Sequence, residues 1–176
     1  DITMTAPAAG CAIDRATSAP AQAPIGHSIP QINPLTGLST DYLNHFTEAV
    51  MALEMAVIMP EMLDDLRAWK PMTYCEHFAA SGFAGRDAVI AAYKLADPAA
   101  RETLDEAAET LNTVLAETRD VVLAHLSTPL ADMLARRAVA WLRPLIARTA
   151  AAINGADTGA AGGLSAQAAI DAIFAS

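Results

Sequence analysis

At 176 residues and a formal net charge of −9, the chain is one domain's worth, and it is too acidic to neutralise a nucleic-acid backbone or to sit on an anionic membrane surface. Hydrophobic residues make up 53% of it but aromatics only 5%, and an alanine-rich composition of that kind suits close-packed helices better than a sheet. The longest apolar run, AVMALEMAVIM from Ala49 to Met59, is too short for a bilayer, so no transmembrane segment is expected.

In chain order, residues 1–36 carry prolines at 7, 20, 24, 30 and 34 and no sustained periodicity. They read as an extended N-terminal arm, with Asp1 to Thr3 a remnant ahead of Met4 as the expected initiator. No basic segment followed by an apolar stretch opens the sequence, so no signal peptide is expected. Ile29, Ile32 and Leu35, three apart, suggest that the end of the arm lies along the body as a polyproline-like strap.

The body, residues 37–154, reads as helical throughout. Ser39 or Thr40 can cap a first helix running to Met59, which Pro60 kinks or restarts before Pro71 ends it. Thr73 and Glu76 have the spacing of a capping box, and Ser81-Gly82 and Gly85 split the stretch from Tyr74 to Ala96 into two short pieces. Asp97-Pro98 and Thr128-Pro129 each place a capping side chain before a proline, which opens two long helices, to about Leu126 and to about Asn154. The first of these has Leu104, Ala108, Leu111, Leu115, Thr118, Val122 and His125 in an alternating four-three seam, and the second is expected to bend at Pro144. Residues 155–164 form a Gly-rich linker, and residues 165–176 a short C-terminal helix capped by Ser165. The expected fold is all-α, an antiparallel up-and-down bundle of about four principal helices with an extended arm and a short terminal helix. Carboxylates on the third long segment (Glu102, Asp105, Glu106, Glu109, Glu117, Asp120) and arginines on the fourth (Arg136, Arg137, Arg143, Arg148) suggest pairing between those two helices.

Functional expectation centres on the greasy run. One face of the first helix is an ordinary core stripe of Tyr42, Leu43, Phe46, Ala49, Val50, Leu53, Ala56 and Val57. Met51, Met55 and Met59 follow one another at i, i+4, i+8 on a second face, with Ile58 beside them. That face needs cover from the N-terminal strap, the C-terminal helix, another subunit or a ligand. Methionine is an adaptable filler and also lines promiscuous binding surfaces. Glu54 lies at the edge of the core stripe, where it needs a cation such as an arginine of the fourth helix.

These features point first to a non-enzymatic helical interaction or regulatory protein, self-associating as a homo-oligomer or binding a partner helix through Met51, Glu54, Met55 and Met59. The alternative is a metal- or small-ligand-binding bundle using Glu54 and the end where Glu61, His77 and His125 are expected to meet, with zinc, iron or manganese as the ion. Paired Glu-x-x-His motifs are absent, and His45 falls about 100° from the centre of the core stripe, at the solvent boundary. A coat protein on lipid or polymer granules is a third class consistent with alanine-rich helices. No nucleophile elbow, phosphate loop or dinucleotide fingerprint is present. The two cysteines, Cys11 and Cys75, form no metal spacing or disulfide framework and fit a cytoplasmic protein.

Overall fold

The computed structural model describes residues 32–59, 61, 63–82, 84–156 and 165–175. Among them are seven α-helices and one short 3-10 turn, with no strand beyond an isolated bridge between Ile32 and Ser39, so the chain is all-α as its composition implies. The expected arm up to residue 31 and most of the Gly-rich linker lie outside the described residues.

Local chemistry sets most of the helix starts. The Ser39 hydroxyl accepts from the Asp41 N–H and caps the 3-10 turn Thr40–Leu43, which runs straight into α1, Asn44–Ala56. This helix stops short of the expected Met59. Ile58 and Met59 both donate to the Met55 carbonyl as the chain turns, because a residue preceding proline is pushed out of the helical region. A six-residue α2, Leu63–Ala68, follows. The capping box opens α3, Tyr74–Ala80: the Glu76 carboxylate accepts from the Thr73 N–H and hydroxyl, at 2.8 and 2.9 Å, and those bonds hold it below the usual carboxylate range. The expected split then separates α3 from α4, Arg86–Leu95. Asp97 and Thr128 cap α5, Pro98–Ala124, and α6, Pro129–Ile153, each with proline at its first position. Gly155, at φ +76, ends the turn after α6, and Ser165 caps α7, Ala166–Phe174.

The core lies where α1, α5 and α6 meet. Leu104, Leu111, Leu115 and Val122 from α5 pack with Leu134, Leu142 and Ile153 from α6, and the buried Ala108, Ala131, Ala135 and Ala138 let the helices approach closely. Phe46, Val50 and Leu53 of α1 close the third side. Each such side chain contributes about 1.5–3 kcal/mol by leaving water. Thr36, just ahead of α1, bonds the end of α6 at Ile153, whereas Glu54 near the end of α1 reaches Arg143 further back. The two helices therefore run antiparallel. Ala169 and Ile173 bury α7 against α5 and α6, and Arg137 donates to the Ile173 and Ala175 carbonyls at its end.

Several expectations fail. Among the described residues no ion pair joins α5 to α6: Arg136 pairs with Asp132 and Arg119 with Asp120, each within its own helix, while Arg143 reaches across to Glu54 of α1. The seam of α5 ends at Val122. The helix closes at Ala124, and His125 is an exposed residue following it, in a turn where Ser127 adopts φ 66°. The expected position of Pro144 inside α6 holds, on the exposed side of a helix that continues past it. The described part of the strap is a tight turn, closed by a Gly37 N–H bond to the Asn33 carbonyl, with Gly37 at φ +73 against Ala96. Cys75 is disulfide-bonded rather than a thiol, and Cys11 lies outside the described residues.

Candidate functional site

Two regions on α1 hold the residues singled out above. The first is the methionine face. Met51 is 52% exposed and Ile58 65%, while Met55 and Met59 are partly buried. Because Met59 still donates to the Met55 carbonyl, helical spacing persists past the end of α1 and the four side chains stay on one side. Neither expected internal cover is there among the described residues: α7 packs on α5 and α6, and the turn at 33–37 is tied to Ile153, Asn154 and Ala96. Glu54 has the cation it required, its Oε2 accepting from Arg143 Nη2 at 2.6 Å on the flank of this face.

The second region is an aromatic cluster at the start of α1 that periodicity did not reveal. It gathers all three tyrosines of the chain. Tyr42 meets Phe46 at 5.0 Å and Tyr74 at 5.3 Å, Tyr74 stacks on Tyr93 at 4.8 Å, and His45 stacks on Trp69 at 5.2 Å. His77 lies 5.7 Å from His45. These contacts hold the non-helical stretch between α2 and α3, whose backbone polar groups have no helix to satisfy them. Trp69 donates its indole N–H to the His45 carbonyl, the Trp69 carbonyl accepts from Arg119 at 2.7 Å, and the Met72 carbonyl accepts from the Tyr42 hydroxyl and the Asn112 amide. Tyr93 donates to Asp105 at 2.6 Å. Asp105, Asn112 and Arg119 stand seven apart on α5, so they form one polar row facing the cluster. That spacing was readable in the sequence beside the leucine seam.

Electrostatics follow from enclosure. Burial raises all three phenols above their ordinary range, Tyr74 to about 12. Burial likewise drives the His45 imidazole down to about 4, with repulsion from His77 adding to it and a hydrogen bond to the Lys70 backbone opposing it. His77 is lowered as well, by burial, against the attraction of Glu48 and Asp41. Buried Nε2 of His45 has no partner, so Nδ1 is the donor to the Lys70 carbonyl and the ring is neutral. Only 6% of His45 is exposed, which corrects its expected place at the solvent boundary. The cover comes from Trp69 and His77, far along the chain.

A neutral imidazole with a free lone pair is chemically a base or a ligand, but this one is sealed by rings. The residues expected to share a metal are dispersed: Glu61 is exposed in the turn after α1, His77 belongs to the cluster and His125 is exposed after α5. Among the described residues no three His, Cys, Asp or Glu side chains are grouped to hold an ion. Comparison of the chain with known protein families, characterised proteins and solved structures finds no match.

Proposed function

We propose that the protein is a non-enzymatic interaction module that takes an apolar helical surface, from a partner or from another copy of itself, onto Met51, Met55, Ile58 and Met59, with Glu54 at its flank. One observation carries the reading: these apolar side chains follow one another at helical spacing, two of them more than half exposed, with α7 packed on α5 and α6 instead. Exposed apolar groups in a contiguous patch cost solubility and are a common mark of an interface. The thioethers suit such a role because they repack against differently shaped partners.

The accompanying bundle reading, an up-and-down arrangement of four principal elements, is supported by the antiparallel run of α1 and α6 and by the short turn joining α5 to α6. No helix among the described residues is long and apolar enough to cross a membrane.

Light scattering over a range of concentrations, repeated with Met55→Glu, tests the proposal. A wild-type chain that associates with itself or with an added amphipathic helix, and loses this with the new charge, supports it. A chain that stays monomeric and takes up no added helix overturns it.

A further inference from the structure

Resting on that reading, the charge around the methionine face selects its occupant. Between residues 41 and 82 the chain has seven carboxylates against two bases. Glu48 stands one turn before Met51 on the same side of α1, Glu61 lies two residues past Met59, and Asp65 lies in α2; all three are exposed and none forms an ion pair among the described residues. Asp64 is exposed too and is matched by Arg67. Glu54 is matched by Arg143, a cation already supplied from α6. Among the described residues the apolar strip is therefore bordered at both ends by carboxylates that no ion pair engages.

This border discriminates among occupants. A second copy would bring its own acidic border against this one, and the whole chain carries a net −9, so like charges would face one another at close range. The segment from residue 1 to 31 has two carboxylates and one arginine and is interrupted by prolines at 7, 20, 24 and 30, so it offers neither a basic nor an uninterrupted helix. Helix α7 has Asp171 as its only charged residue, and its apolar side is spent on α5 and α6. The arginines of α6 are engaged in part: Arg136 on Asp132, Arg137 on the end of α7 and Arg143 on Glu54. We infer that the occupant is a cationic amphipathic helix of another protein, its apolar side on Met51, Met55, Ile58 and Met59 and its lysines or arginines against Glu48, Glu61 and Asp65. The mode is a helix laid along an apolar surface, with charge choosing the partner.

The test titrates the full chain into two labelled synthetic helices of equal length and identical leucine pattern, one with lysine and one with glutamate at the flanking positions. Anisotropy is read at low and moderate salt, with sedimentation of the protein alone alongside. The lysine peptide is expected to bind and to weaken with salt, and the glutamate peptide not to bind. Pairing Met51→Gln with Ile58→Gln, or separately Glu48→Lys with Glu61→Lys, is expected to weaken it about tenfold or more. All four positions are exposed, so circular dichroism should show both double variants folded.

Lysine-peptide binding that survives the glutamine pair would be charge attraction away from this face, and equal binding of the glutamate peptide would remove the charge selection. Either result overturns the inference. A free-chain dimer dissolved by the glutamine pair would place a second copy on the face, overturning the cationic partner while leaving the face an interface. A monomer that binds neither peptide would overturn both.

Discussion

The two ends of α1 are built on opposite terms. Its first turns enter a closed cluster in which every ring touches another ring, and each carbonyl of the adjoining loop that carries a side-chain bond takes it from a named donor on α1, α5 or the turn before α1. Its last turns present thioethers to solvent and are held at one flank by an exposed ion pair. The comparison teaches that burial and charge satisfaction are concentrated where the chain leaves the helical repeat. Apolar surface is left open along the second half of α1 and the turn that follows it. Stability should therefore reside in the first region and recognition in the second.

The strongest way to break that division is Phe46→Ala, which opens a cavity in the cluster. A loss of about 3–5 kcal/mol in chemical denaturation is expected. A loss below about 1 kcal/mol would show that the cluster does not carry the fold.

Acid should act on the same region. The folded His45 value is about 4, below its ordinary 6.5. Between those values the unfolded chain binds a proton that the folded chain refuses. Stability is thus complete above about pH 6.5 and falls as the pH drops towards about 4, by a total of the order of 3 kcal/mol from this group. His77, lowered by burial, adds in the same direction, whereas Asp105, whose carboxyl burial raises, works against it at the acid end. Denaturation midpoints measured from pH 7 to 4 should fall less steeply in His45→Phe, which keeps a ring between Trp69 and Tyr42. An unchanged slope would remove His45 as the source.

Smaller still is Tyr42→Phe, which leaves the ring and deletes its 2.6 Å bond to the Met72 carbonyl. Asn112 continues to donate to that carbonyl, so a cost of about 1 kcal/mol is expected. On the open side the expected effects nearly vanish. A double-mutant cycle with Glu54→Gln and Arg143→Gln should give a coupling of about 0.2–1 kcal/mol, since both side chains are substantially solvated. Met51→Gln should change stability by no more than about 0.5 kcal/mol, and a larger loss would mean that the methionine face is part of the fold.

What the sequence made legible follows the reach of the forces involved. Ser39, Thr73, Asp97, Thr128 and Ser165 act within three residues, and all five cap as their spacing implies. The leucine seam of α5 was equally plain because helical geometry alone places it. His45 was misplaced because what buries it, Trp69 and His77, returns from 24 and 32 positions away, a fold-level event that no window on α1 contains. The pairing of Glu54 with an arginine of α6 was legible in the sequence, whereas which of its arginines would reach it was not. At the candidate face, the methionine spacing was visible; its exposure was not, since that required knowing where α7 and the turn at 33–37 would go.

That turn also bears on how the molecule is made. Thr36 hydrogen-bonds the Ile153 carbonyl at 2.6 Å across a separation of 117 residues, and Asn33 reaches Asn154 beside it. During synthesis the first of these groups leaves the ribosome long before the second, and nothing nearer in sequence offers Thr36 the same seat. The ring can close only after the last turn of α6 has emerged. Until then α1 waits without its antiparallel partner, and the part of its inner face that α6 covers is open along with its methionine face. A nascent chain stalled inside α6 should thus expose far more apolar surface than the finished protein, and for that interval it is a substrate for whatever shields such surfaces in the cell.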